Sequence, residues 1–182
     1  MDQIKRIMLY ISKLITPPLK YARKIGVTIG EDNLIQKCHW SSEPYLITVG
    51  NHCQLTDCKI YTHGGGQVVR HIDPTFDLFG KVAIGDYVYI GSGSLIMPGV
   101  TIGDHVLVAA GSVVTKSIPS GVVVAGNPAR YLCSIEEYYN RNKKFNMATK
   151  GMTLSEKKKF LLQAPEELFI KKEEIQPSKG HP

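Results

Sequence analysis

The chain has 182 residues, 43% of them hydrophobic and 21% charged, with a formal net charge of +6. That describes one domain of ordinary size with appendages: enough apolar material for a core, too much for a disordered chain, too little for a membrane-embedded one. Much of the positive charge lies in Lys157, Lys158, Lys159, Lys171 and Lys172, a solvated pattern, and with no nucleic-acid-binding motif beside it no nucleic-acid partner is expected.

In chain order, residues 2–16 read as an amphipathic helix. Ile4, Ile7, Met8, Ile11, Leu14 and Ile15 share one face, and Lys5, Arg6, Ser12 and Lys13 lie mostly off it. Lys13 interrupts the apolar run and no small-residue cleavage site follows, so this is not a signal peptide. Pro17 and Pro18 are expected to end the helix. Its expected task is to cap the open end of the fold that follows. A peripheral contact with an anionic membrane through residues 2–16 is the sharper alternative.

From Ile25 to Tyr61 a loose repeat runs through Ile29-Gly30, Val49-Gly50 and Leu55, and residues 36–45, with Trp40, read as a departure from it. Gly64–Phe79 carries no repeat. Its glycines, with Gln67, Arg70, His71, Asp73 and Pro74, read as an exposed loop, and so long a loop off a regular scaffold is expected to bind something.

Then the pattern becomes strict. Ile84, Ile90, Ile96, Ile102, Val108 and Val114 are six apart, and Gly85, Gly91, Gly103 and Ala109 follow four of them. A helix cannot bury such a stripe, because six residues span about 1.67 turns. Short flat faces of six residues each can: three faces close a coil, and the apolar residue points inward on each. This is the hexapeptide pattern of a parallel β-helix. Residues eighteen apart then stack, Ile84 with Ile102, Ile90 with Val108 and Ile96 with Val114.

After Pro119 the chain leaves the repeat. Two helices are expected, opened by Ser134 with Glu137 and by Thr153 with Glu156, then a short third over Glu166–Ile170 and a mobile tail from Gln176. The expected organisation is therefore an N-terminal helix to residue 20, a β-helix over 21–133 with its loop at 64–79, and a helical extension over 134–182. Cys38, Cys53, Cys58 and Cys133 show no metal-ligand spacing, so free thiols in a reducing cytoplasm are expected, with Cys53 in a slot for small buried residues.

Four runs carry a resemblance: I-G-D-Y-V-Y-I-G (84–91), P-G-V-T-I-G-D (98–104), A-A-G-S-V-V-T-K (109–116) and A-G-N-P-A-R (125–130). Together, over roughly residues 25–133, they resemble the hexapeptide-repeat acyltransferases, in particular the sugar and polysaccharide O-acetyltransferase branch with the maltose, galactoside and xenobiotic acetyltransferases. The resemblance implies a left-handed β-helix, a homotrimer, and acetyl-CoA in the groove between neighbouring subunits. Handedness comes from the resemblance alone, since parallel crossovers are ordinarily right-handed.

Moving an acetyl group from a thioester to a hydroxyl needs a base for the hydroxyl proton, a donor for the tetrahedral oxyanion, and both substrates held together. A neutral imidazole is the best base near neutral pH. His63, in Tyr61-Thr62-His63 at the mouth of the loop, matches the family's catalytic Thr-His motif. Relatives usually carry aspartate next, where this chain has Gly64. The imidazole would then be oriented by a backbone carbonyl or by another carboxylate such as Asp73.

The resemblance places the backbone amides of Ser92 and Ala110 along the pantetheine arm or thioester and Tyr89 as a wall of the same tunnel. Thr115, Lys116 and Arg130 fall with the cofactor, the last two beside the phosphates. Arg70, His71 and Asp73 are the candidates for the acceptor, a sugar or glycan precursor. Other readings stay open here. They are N-acetylation of an amino sugar or nucleotide sugar, a zinc-dependent γ-type carbonic anhydrase using histidines among His52, His63, His71 and His105, and a non-catalytic binding trimer, for which Gly64 is the only argument. No bound metal is expected.

Overall fold

The computed structural model describes residues 15–174. The helix expected over residues 2–16 lies, but for its last two residues, outside that range, as does the tail from Gln176. Among the described residues, no helix is long and apolar enough to cross a membrane. The chain divides into two compact units, 1–136 and 137–182.

The first unit is a parallel β-helix with three sheets visited in rotation. The first sheet holds β1 (Thr28–Ile29), β4 (Ile47–Val49), β7 (Val82–Ile84) and β10 (Thr101–Ile102). The second holds β2 (Leu34–Gln36), β5 (Gln54–Thr56), β8 (Tyr89–Ile90), β11 (Leu107–Val108) and β13 (Val122–Ala125), and the third β3 (His39–Trp40), β6 (Lys59–Ile60), β9 (Leu95–Ile96) and β12 (Val113–Val114). The arrangement is consistent with the left-handed β-helix that the resemblance implies.

Ile84 pairs with Ile102, Ile90 with Val108 and Ile96 with Val114, the stacking that a period of eighteen dictates. All six side chains are buried, each contributing about 1.5–3 kcal/mol of apolar burial. Residues after the corner glycines bind the coils together. The Asp104 carboxylate accepts from the Asp86 amide at 2.8 Å, and that of Asp86 accepts from the Asn51 amide at 2.7 Å. The Ile-Gly-Asp signature is thus a hydrogen-bond ladder as well as a packing pattern.

The first two coils keep the three faces but not the count. Paired positions stand twenty apart from β1 to β4 (Ile29 with Val49) and thirty-five apart from β4 to β7 (Val49 with Ile84). From the second to the third sheet these coils take five residues, Ile35 to Trp40 and Leu55 to Ile60, where the later coils take six. Lys37 (φ 52°) and Asp57 (φ 45°) make the tighter turn in the left-handed region. This corrects the expectation for residues 36–45. Trp40 does not leave the coil but pairs in register with Ile60, and the departure is confined to Ser41–Leu46. A lost residue at one corner broke the six-residue pattern without breaking the coil.

Both ends of the stack are covered. The helix Pro18–Ile25 begins at the prolines expected to stop one, with Pro18 in a first-turn position that needs no amide donor. Ala22 is buried, and Arg23 donates to the carbonyls of Ile29 (3.1 Å) and Gly30 (2.6 Å), so this helix closes the first coil. At the other end β14 (Arg130–Ser134) runs antiparallel along β13. A helix at Ile135–Asn142 then leads into the second unit. There Leu154–Gln163 opens on the capping box of Thr153 and Glu156, and a 3-10 turn at Glu166–Leu168 stands where a short third helix was expected.

Candidate active site

Two long corners of the β-helix lie one above the other, both leading from the third sheet back to the first. The first coil uses Ser41–Leu46 there, and the second uses the whole stretch from Tyr61 to Lys81. The loop 64–79 is closed at its neck, where His63 bridges Phe79 and the Gly80 amide donates to the Thr62 carbonyl at 2.7 Å. His63 is therefore held by backbone on a rigid edge while its side chain remains 38% exposed. The Phe79 ring lies tilted beside the imidazole, 5.9 Å between centroids, and is itself exposed.

The other corner supplies a carboxylate. Glu43 Oε2 lies 2.6 Å from His63 Nδ1 and accepts from the hydroxyl of Thr62 at 2.8 Å. The Ser41 hydroxyl is 3.3 Å from the same imidazole nitrogen. Burial works to raise the Glu43 carboxyl, but hydrogen bonds from Thr62, Ser42 and His63 and the nearby His63 charge outweigh it and hold the group below its ordinary value. An imidazole so placed, partly open to solvent at the mouth of a loop, is able to take a proton from an incoming hydroxyl.

Asp73, named from sequence as an orienting carboxylate, caps its own turn instead. It accepts from the Thr75 amide (2.9 Å) and hydroxyl (2.7 Å), and those bonds keep its carboxyl below the usual range. Arg70 bonds the Phe76 carbonyl and Gln67 and pairs with Asp77 at 3.5 Å, and His71 bonds the Val68 carbonyl at 2.8 Å. All three are exposed and serve the internal order of the loop.

The residues assigned to the cofactor fall into two groups. Thr115, Lys116 and Arg130 line one open groove of about 330 Å³ with Pro119, Val124 and Tyr131. Ser92 and Ala110 lie at a different corner, between the second and third sheets, with Tyr89 exposed on the nearby strand β8. Ser92 donates to Asp57 at 3.0 Å. A methyl group on Gly91 would come within 2.5 Å of the Ala110 amide nitrogen on the next coil, so the close stacking of these coils requires glycine there. The two groups thus sit at different corners of one chain. The four histidines are also spread: His52 and His105 stack on either side of Tyr87 at the corner between the first and second sheets, away from His63 and the loop. Among the described residues, no group of three or more His, Cys, Asp or Glu could hold a metal ion.

Residues 81–116 match the family model of the bacterial transferase hexapeptide (six repeats). Protein CapG of Staphylococcus aureus is 46% identical over 145 residues, which cover 77% of this chain and 84% of CapG. A maltose O-acetyltransferase from Clostridium difficile 630 is 30% identical, aligned over 64% of this chain and 73% of its own, with a TM-score of 0.50. The chain belongs to the hexapeptide-repeat acetyltransferases. A galactoside acetyltransferase in complex with coenzyme A shares the fold at a TM-score of 0.55 and 22% identity, over 76% of this chain and 82% of that one.

For a hexapeptide-repeat acetyltransferase, the residue that sequence reasoning missed is Glu43. It stands twenty positions before His63, inside a segment whose path the period did not reveal. The available signal was the spacing itself, because Ile29 and Val49, which both precede glycine, are also twenty apart and so place Glu43 one coil beneath His63. Gly64 thus leaves the imidazole with a carboxylate neighbour after all, which removes the one argument for a non-catalytic chain.

Proposed function

We propose that this acetyltransferase moves an acetyl group from acetyl-CoA to a hydroxyl of a sugar or glycan precursor by direct attack, with His63 as general base. The observation that carries the reading is the half-exposed imidazole of His63, fixed by backbone at the loop neck and by a carboxylate at Nδ1. His63 Nε2 takes the acceptor's hydroxyl proton while the oxygen bonds to the acetyl carbon. The carbon–sulfur bond then breaks, and the departing thiolate receives that proton from Nε2.

The residues present suit coenzyme A. The small side chains of Ser92 and Ala110 let an extended thiol arm lie against the coil, and Lys116 and Arg130 place two cations on one groove, which suits phosphate oxygens. The loop 64–79, with exposed Phe79 beside His63, is the natural seat of the acceptor, because the apolar face of a sugar ring packs on an aromatic side chain. The solved maltose O-acetyltransferase supports a saccharide hydroxyl, and the coenzyme A complex of the galactoside acetyltransferase supports the donor.

Ser92 and Ala110, proposed for the donor, lie at a different corner from His63, which supports sites completed by a neighbouring copy, so we assign the active form to a homotrimer with its sites at subunit seams. Release of free thiol from acetyl-CoA across a panel of acceptor sugars, with light scattering for the assembly, tests the reading. Acceptor-dependent thiol release by a trimer is expected. A monomer that does not bind coenzyme A would overturn it.

A further inference from the structure

We propose that Glu43 is a positioning residue for the transfer, holding His63 as the Nδ1–H tautomer with the lone pair of Nε2 turned outward. The inference rests on His63 being the base and adds how that base is kept in working form.

An ionised carboxylate only accepts hydrogen bonds. With Oε2 of Glu43 2.6 Å from Nδ1, the proton between them belongs to the imidazole, and in a neutral ring the other nitrogen is then the unprotonated one. Thr62 makes the arrangement directional. Its side chain is fully buried, and its hydroxyl donates to the same oxygen at 2.8 Å, pinning the carboxylate from the side away from solvent. Ser41 stands 3.5 Å from that oxygen and 3.3 Å from Nδ1, a weaker third contact on the same side. Among the described residues, the hydrogen-bonding neighbours of the ring thus gather on Nδ1. When Nε2 gains the acceptor's proton, the resulting imidazolium lies against a fixed negative charge, which lowers the barrier by stabilising charge as it develops.

Coil stacking delivers the pair. Just before the two corners, His39 pairs with Lys59 and Trp40 with Ile60, so the corners start in register. The first coil then uses Ser41–Leu46, six residues, where the third coil uses only Met97–Val100, four. The extra length, with buried Pro44 turning the chain, places Glu43 beneath the imidazole. Here Gly64 leaves the loop free, and the charge comes from the neighbouring coil.

The test combines Glu43→Gln with nitrogen-15 spectra of the histidine rings, the His63 signals being those that vanish in His63→Ala. The wild-type chain should show an unprotonated Nε2. In Glu43→Gln the tautomers should mix, kcat should fall by at least about tenfold, and KM for acetyl-CoA should stay within about twofold. Glu43→Asp, which keeps the charge on a shorter stem, should recover part of kcat. Wild-type kcat in Glu43→Gln, or an Nε2–H tautomer in the wild-type spectrum, overturns the inference, and the second reading needs no variant to fold. Turnover surviving in His63→Ala would instead remove the base itself, a separate failure.

Discussion

The third and fourth coils and the first and second are built on the same prism and differ in how strictly they count. From Val82 to Val114 each face takes six residues, the columns are unbroken, and the corners are short. From Thr28 to Lys81 one corner is a residue short and another grows, first to six residues and then to a loop. The regular half buries its side chains in columns and offers Lys116, Ser92 and Ala110 at set heights. The irregular half holds His63, Glu43 and Phe79. The repeat sets the height of each side chain in its column, and the extended corners carry the side chains that stand outside those columns.

That contrast breaks most sharply at His63. The substitution His63→Ala should lower turnover by at least about a hundredfold while acetyl-CoA still binds, read by thiol release alongside calorimetry. Near-normal turnover would put the chemistry elsewhere. In the regular half, Ile90→Ala should cost about 2–5 kcal/mol of folding stability by denaturant titration, because the residue is fully buried between neighbours in its column. A smaller loss would mean that the columns relax around a cavity.

Reversing both charges of the groove, Lys116→Glu with Arg130→Glu, should raise KM for acetyl-CoA about tenfold or more and change kcat much less. An unchanged KM removes both residues from the donor site. In the loop, Gly65→Ala should cost only about 1 kcal/mol. The position has a positive φ of 79°, but a methyl group there meets nothing within 4 Å.

The smallest expected effect is an acid one. Because folding holds the Glu43 carboxyl below its ordinary 4.5, its contribution to stability is complete above that pH and is lost as pH falls through the lowered value. The melting temperatures of wild type and Glu43→Gln, about 2 °C apart at neutral pH, should converge in acid. A gap that persists there would mean that the carboxylate's charge is not what stabilises the corner.

The β-helix was legible because a period of six over Ile84–Val114 has one economical solution, and the pairing follows it residue by residue. The loop and the capping box of Thr153 were legible for similar local reasons. Trp40 was not, since a five-residue corner shifts the frame by one and hides a strand that still pairs in register. Nor was the helix at Pro18–Ile25, because a proline pair ends one helix and opens another equally well.

Sequence alone determined what repeats along the chain: the inward columns, the corner glycines, and the histidine marked by its motif. Only the tertiary structure decided which carboxylate stands against that histidine. Glu43 and His63 meet at 2.6 Å because two coils stack. Such a contact depends on the summed length of every turn between the two residues, which no local pattern encodes.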